Sequence, residues 1–230
     1  MDVKDKIIVV TGGTAGIGYT TALKLKEKGA KVIVTGRDEN KLTHAKEKGF
    51  DAQKCDVSSE EEVLAFYDYL KSEYGYLDVL INNAGFGKFS MLTDLKAEDL
   101  ESIFATNVKG AMLMAREAAK IFKEKDYGAI VNISSTAGLK GFPGGSAYVA
   151  SKWALKGMTE CWRAELRKYN VRVILINPSE VQTDFGEKVR DTINPTKLMA
   201  EDIAFATVGA LEMNDRGFIT ELTVFATNPK

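Results

Sequence analysis

The sequence has 230 residues, 45% of them hydrophobic, and 31 basic side chains nearly balance 32 acidic ones for a net charge of -1. A chain of this make-up can bury a sizeable core. It has neither the basic stripe of a nucleic-acid site nor an apolar run long enough to span a membrane, so neither partner is expected. One histidine, His44, and two cysteines, Cys55 and Cys161, leave no His-rich metal site and no disulfide framework. No metal is expected. His44 lies in a charged stretch and reads as a solvated surface residue; both cysteines read as reduced core thiols. Residues 1–6 lack the apolar run of a signal peptide, and a cytoplasmic protein is expected.

Short β-branched runs alternate with longer amphipathic ones along the chain. Ile7-Ile8-Val9-Val10 is continuously apolar, as a strand buried on both faces would be. Thr11-Gly12-Gly13-Thr14-Ala15-Gly16-Ile17-Gly18 follows at once, with Gly12, Gly16 and Gly18 in a G-x-x-x-G-x-G spacing. Glycines let a backbone approach a pyrophosphate closely, and the helix they open offers unpaired N–H groups and a positive dipole end. A strand before and a helix after favour a dinucleotide loop over a plain tight turn. The first helix carries Ile17, Leu23 and Leu25 and ends near Gly29.

Val32-Ile33-Val34-Thr35 is the second strand, and its end should select the cofactor. An acidic residue there would take the ribose hydroxyls of NAD. Gly36 occupies that position and Arg37 follows, and an arginine fork suits a 2′-phosphate. NADP(H) is therefore favoured, with NAD(H) the alternative if Asp38 turned to the ribose. Asp38 is better read as the N-cap of a helix over residues 38–48 that Gly49 closes.

Ala52-Gln53-Lys54-Cys55 is a weaker third strand, followed by Asp56-Val57. Ser58 or Ser59 can cap the next helix, with Glu61 or Glu62 placed for a capping box. Val79-Leu80-Ile81 is the fourth strand and runs into Asn82-Asn83-Ala84-Gly85. A long helix is expected over 96–122, a fifth strand over Ala129-Ile130-Val131-Asn132-Ile133, and a second long helix over 147–169. Val171-Arg172-Val173-Ile174-Leu175-Ile176 is the sixth strand. A helix over 200–213 and a strand over 218–224 complete the pattern. Near-continuous apolar strands alternating with helices imply a parallel sheet covered on both faces. Right-handed crossovers make it an α/β, Rossmann-type doubly wound sheet of about seven strands. With four prolines and no linker, residues 1–230 read as a single domain.

Tyr148 and Lys152 stand four residues apart and share one helix face. A phenol is a poor acid or base near neutral pH, and a nearby ammonium stabilises tyrosinate. Such a tyrosine can protonate a carbonyl oxygen as hydride arrives, or take the hydroxyl proton in reverse. Ser134-Ser135 ends the fifth strand, at the carboxyl edge where doubly wound sheets bind ligands.

At this point the chain resembles the short-chain dehydrogenase/reductase (SDR) family over nearly its whole length. The glycine loop looks like that family's cofactor loop, and Asn82-Asn83-Ala84-Gly85 like its N-N-A-G motif. Thr106-Asn107 resembles its catalytic Asn position. Ser135 lies thirteen residues before Tyr148, the family's Ser-to-Tyr spacing, and Tyr148-Val149-Ala150-Ser151-Lys152 resembles Y-x-A-S-K. Asn177-Pro178-Ser179-Glu180-Val181-Gln182-Thr183 is similar to N-P-G-x-V-x-T, with Ser179 replacing the usual glycine.

The resemblance implies roles. Tyr148 is the general acid/base, Lys152 lowers its pKa and binds the nicotinamide ribose, Ser135 orients the substrate oxygen, and Asn107 holds a water in a proton relay. Gly12, Thr14, Ala15, Gly16, Ile17, Gly18 and Arg37 hold the cofactor. Asp56 and Val57 contact the adenine; Asn83, Ala84 and Gly85 line its ribose side. Val181 and Thr183 sit by the carboxamide, and Pro178 is a further cofactor contact.

Phe86, Phe89, Leu139, Phe142 and Pro143 are the expected substrate walls, and residues 185–196, with Gly186 and Pro195, a mobile lid. Apolar walls favour an apolar or mixed small-molecule carbonyl or alcohol substrate, such as a 3-oxoacyl thioester, a pterin, a keto steroid or an aldehyde. The chain stops soon after the seventh strand, without the longer tail through which many members join a tetramer. A homodimer through the long helices is expected, with Met112, Met114, Trp153 and Trp162 as interface or core. The function expected is NADP(H)-dependent reduction of a carbonyl to an alcohol. The alternatives are an NAD-dependent alcohol dehydrogenase and a non-catalytic dinucleotide sensor.

Overall fold

Seven parallel strands form one sheet in the computed structural model, which describes residues 1–183 and 194–228. They are β1 (Ile7–Thr11), β2 (Lys31–Gly36), β3 (Asp51–Lys54), β4 (Val79–Asn82), β5 (Gly128–Ile133), β6 (Val171–Pro178) and β7 (Glu221–Val224). Their order is β3-β2-β1-β4-β5-β6-β7. The order runs outward in opposite directions from the β1–β4 pair, which opens a crevice beyond their carboxyl ends. Every expected strand is present. The last begins at Glu221 rather than at residue 218.

Successive strand side chains point to opposite faces, so the continuous apolar runs feed two core layers. Ile8 and Val10 pack beneath α1 (Gly16–Glu27), α2 (Glu39–Glu47) and α7 (Ala200–Glu212). Ile7 and Val9 pack beneath α3 (Glu60–Tyr74), α5 (Ala111–Lys125) and the end of α6 (Ser146–Leu166). Each such aliphatic side chain contributes about 1.5–3 kcal/mol by leaving water. Burial on this scale, rather than helix propensity, holds the layers.

Three local expectations are corrected. The helix expected over 96–122 is two α-helices, α4 (Ala97–Phe104) and α5, joined by a π-helical turn, Ala105–Gly110. The turn lies where the helix must come close to the sheet edge. A Cβ on Gly110 would stand 2.7 Å from Cγ2 of Val57. The capping box of α3 is only half made. Ser59 accepts the N–H of Glu62, while the Glu62 carboxylate turns away to accept the N–H of Asp56 at 2.8 Å. Cys161 is exposed on α6 rather than in the core; Cys55 is buried. Met114 is internal core and Met112 and Trp162 pack against it, whereas Trp153 remains 50% exposed.

Candidate active site

The glycine loop leaves β1 through Gly12, whose φ of +61° lies in the left-handed region that residues with a Cβ rarely occupy. A cluster of hydrogen bonds fixes the loop to the end of β4. The Thr11 hydroxyl accepts the N–H groups of Asn83 and Ala84, both at 3.0 Å. The Asn83 amide donates back to the carbonyls of Thr11 and Gly12. Helix α1 packs against this cluster so closely that a Cβ on Gly18 would lie 2.3 Å from Asn83 Nδ2. The N-cap of α1, Ala15, offers no side-chain cap, and the first turn holds no acidic residue. The first turn of α1 thus lacks an N-cap side chain, and Ala15, Gly16 and Ile17 line the crevice, an arrangement that a pyrophosphate fits.

At the adenosine end, Gly36 has no room for a side chain. A Cβ there would meet Thr14 Oγ1 at 2.8 Å. Arg37 is exposed and donates from Nη1 to Asp56 Oδ2 at 3.3 Å. Burial alone would push the Asp56 carboxyl up. Hydrogen bonds from Ser58 and the Arg37 guanidinium outweigh it and hold the carboxyl below its usual range. Asp38 caps α2, accepting from Asn40 N at 2.9 Å and Lys41 N at 3.1 Å. Lys41, which sequence reasoning missed, reaches the same cavity as the glycine loop.

At the catalytic end, α6 carries Tyr148 and Lys152 inward, both buried. Lys152 Nζ lies 5.7 Å from the Tyr148 ring centroid and donates to the Ile133 carbonyl at 3.0 Å. Burial pushes the ammonium down to about 8. Burial also pushes the Tyr148 phenol up to about 12, while a hydrogen bond with Ser135 pulls it down. Desolvation is the largest influence at both groups. The Ser135 hydroxyl is oriented from its other side by the N–H of Ala137 at 3.1 Å.

Asn107 sits in the π turn, buried, with its side chain fully engaged. It donates to the Phe86 carbonyl at 2.9 Å and to Ser151 Oγ at 3.1 Å, and accepts the Phe86 N–H at 3.0 Å. It clamps the strand that leaves β4 against α6. A Cβ on Gly85 would stand 3.0 Å from Asn107 Oδ1 and 3.7 Å from Lys152 Nζ. The bare glycine therefore leaves space next to the lysine.

These groups meet in one cavity of about 990 Å³. Of the expected cofactor contacts, Gly12, Ala15, Gly16, Ile17, Asn83, Ala84 and Gly85 line it on one side, and Pro178, Val181 and Thr183 on another. Ser135, Tyr148 and Lys152 line its floor, with Phe89, Leu139 and Phe142 as apolar walls. Thr14, Gly18, Arg37, Asp56, Val57 and Asn107 stand behind or beside the wall rather than on it, as do Phe86 and Pro143. Met199, Phe225 and Ser179 join the lining. Met199 and Phe225 carry no local signal, because distant chain segments bring them there.

Most of the segment expected as a lid lies outside the described residues. Its described end is tied to the β6 exit. Gln182 and Asn194 exchange two 2.7 Å hydrogen bonds, and Val181 bridges Leu198. Among the described residues, no group of three or more His, Cys, Asp or Glu could hold a metal ion. No helix among them is long and apolar enough to cross a membrane.

A family model described as short chain dehydrogenase matches residues 6–194. The chain is 35% identical over 227 residues to an uncharacterized oxidoreductase of Staphylococcus aureus, with 96% of each covered. It is 35% identical over 192 residues to a 3beta-hydroxysteroid dehydrogenase of Mediterraneibacter gnavus, covering 80% of this chain and 69% of that one. It spans 63% of the length of YxnA, an uncharacterized oxidoreductase of Bacillus subtilis, at 37% identity over 223 residues. Among solved structures, the closed form of a serine dehydrogenase complexed with NADP+ is similar with a TM-score of 0.90 and 28% identity, covering 97% of this chain and 96% of that one. The matched span holds the glycine loop, the π turn and the Ser135–Tyr148–Lys152 floor, and the chain belongs to the short-chain dehydrogenase/reductase family, an oxidoreductase acting between CH–OH and C=O groups with NAD(P).

Proposed function

We propose that this chain reduces a ketone or aldehyde to an alcohol with NADPH, and that Tyr148 supplies the proton. The observation that carries the reading is the placement of a buried Tyr148, with Ser135 at its hydroxyl and Lys152 one helical turn on, together on one cavity. A protonated phenol there can donate to a carbonyl oxygen as hydride arrives, and the tyrosinate left behind can take the proton back in the reverse direction. Bound NADPH supplies the hydride. Ser135 orients the substrate oxygen, Lys152 reaches the nicotinamide ribose and stabilises the tyrosinate left behind, and Asn107 holds the wall beside Lys152 in place.

Three features support NADPH over NADH. Thr14 leaves no room for an acidic side chain at Gly36, Arg37 stands exposed beside that position, and Lys41 adds a second cation on the cavity. The NADP+ complex of the similar serine dehydrogenase is consistent with this choice. The steroid activity of the Mediterraneibacter relative fits a carbonyl framed by apolar walls. The reading takes residues 1–230 as one cofactor-binding and catalytic domain. It keeps the protein in the cytoplasm, where Cys55 and exposed Cys161 stay thiols. It also keeps a homodimer through α5 and α6, supported by Trp153 at the surface of α6.

The test is a pair of titrations by nicotinamide fluorescence, with NADPH and with NADH, on the wild type and on Arg37→Ala. The wild type is expected to bind NADPH more tightly. The variant is expected to lose about tenfold or more for NADPH, the worth of one charge-assisted hydrogen bond, and little for NADH. Equal losses would remove the 2′-phosphate role from Arg37. Tight NADPH binding with no carbonyl reduced would favour a sensor.

A further inference from the structure

Phe89 and Phe142 are each 46% exposed, although both lie at the catalytic end of the cavity. They are not loose. Their centroids are 5.9 Å apart with planes at 46°, and Phe89 stands 5.7 Å from the Tyr148 ring with planes at 74°. Three rings thus run in an unbroken line from the phenol to solvent.

Three tethers hold this line. Lys88 is paired with Asp99 of α4 at 2.6 Å, which fixes the residue before Phe89. The N–H of Ser90 donates to the Gly144 carbonyl at 3.0 Å, stitching the loop after β4 to the turn before α6. Within that turn the N–H of Gly145 donates to the Phe142 carbonyl, and a Cβ on Gly145 would strike the Phe142 ring at 2.7 Å. The ring is folded down on bare backbone.

Two large aromatic faces pre-positioned yet half open to water are a cost unless something covers them. Phe89 touches the Tyr148 ring and lines the same cavity, so a substrate whose carbonyl oxygen meets the Tyr148 hydroxyl can bring a carbon substituent against it. Aromatic rings prefer offset or edge contacts at centroid separations of about 4.5–7 Å, and these are worth more than the area they bury. We infer that Phe89 and Phe142 are specificity-determining residues that select a carbonyl bearing an aromatic ring, an aryl ketone or aryl aldehyde, over a saturated carbonyl of equal size. The inference rests on the carbonyl-reductase reading for the position of the carbonyl oxygen.

The test separates ring recognition from turnover. Tyr148→Phe keeps the ring that Phe89 touches and removes the proton, so a ternary complex can form without reaction. In that variant loaded with NADPH, acetophenone and cyclohexyl methyl ketone are titrated against nicotinamide fluorescence. They share a carbonyl, a methyl group and a six-membered ring, and differ in flatness and π-electrons. Acetophenone is expected to bind about fivefold or more tightly, from aromatic contact alone. Adding Phe89→Leu, which keeps an apolar side chain, is expected to bring the two ketones within about twofold while NADPH binding stays unchanged. Equal binding of the two ketones, binding of neither, or a preference that survives Phe89→Leu would overturn the inference. Selective binding in this assay with no reduction by the wild type would uphold ring selection and sink the reductase reading instead.

Discussion

At its adenosine end the cavity is built from main chain and solvent-exposed charge; at its catalytic end it is built from buried side chains. Arg37 and Asp56 meet at the surface, where an ion pair is worth at most about 1 kcal/mol and salt screens it. Tyr148 and Lys152 meet in the interior, where burial moves the lysine down to about 8 and, against an opposing hydrogen bond with Ser135, the phenol up to about 12. The same charges therefore do different work. On the proposed reading, a change at the exposed pair would alter cofactor choice at little cost to the fold, whereas a change at the buried pair would alter chemistry and stability together.

The largest effect should come from breaking the buried end. Tyr148→Phe removes the proton donor and leaves the ring contact with Phe89, so kcat/KM is expected to fall about 10²–10⁴-fold with the NADPH dissociation constant unchanged. A parallel loss of cofactor binding would mean that the variant damaged the site instead.

The second effect is on stability against pH. Lys152 sits at about 8 in the fold against an ordinary 10.5, so the unfolded chain binds more protons between pH 8 and 10.5. Stability should rise with pH across that window by roughly 3 kcal/mol from this group. Tyr148 runs the other way: it holds its proton to about 12 in the fold against an ordinary 10.0, so its contribution is lost as pH climbs through that range. Denaturant melts of wild type and Lys152→Met at pH 7.5 and 10 isolate the first term. A rise that persists unchanged in the variant would assign it to other groups.

Gly18→Ala sharpens the contrast from the backbone side. Its new methyl would press on Asn83 Nδ2 and the Gly12 carbonyl, and overpacking of this kind costs about 1–3 kcal/mol. Melts should show that loss, and titrations should show weaker binding of NADPH and NADH alike. The smallest effect is expected at Asp38→Ala. Loss of its two cap bonds should cost about 1 kcal/mol and leave both cofactors bound as before. A selective loss of NADH would return Asp38 to the ribose.

The contrast also explains what could be read from the sequence. Backbone-built features depend on local spacing, so the glycine loop, the Asp38 cap and the Tyr148–Lys152 face were legible. The strands were legible because burial on both faces leaves continuous apolar runs. The π turn was not: residues 105–110 keep a helical composition, and the close approach of Gly110 to Val57 is a tertiary contact that local spacing does not reveal. Met199 and Phe225 were invisible for the same reason, since they reach the cavity from segments that share no local pattern with it. Phe86 was misjudged as a wall because its role lies in its main chain, which Asn107 holds. Spacing reveals the charge that neighbours Tyr148 but not the water that burial removes from it.

The reversal of strand order at β1 and β4 divides the chain into two blocks, the glycine loop lying before β4 and Ser135, Tyr148 and Lys152 after it. At the cavity the blocks are fastened where Thr11 meets Asn83 and Ala84. A sequence arranged this way can diversify by parts. The segment that follows Ser135 can be exchanged or lengthened while the first block is inherited intact, provided that the Thr11 hydroxyl still finds its two amides.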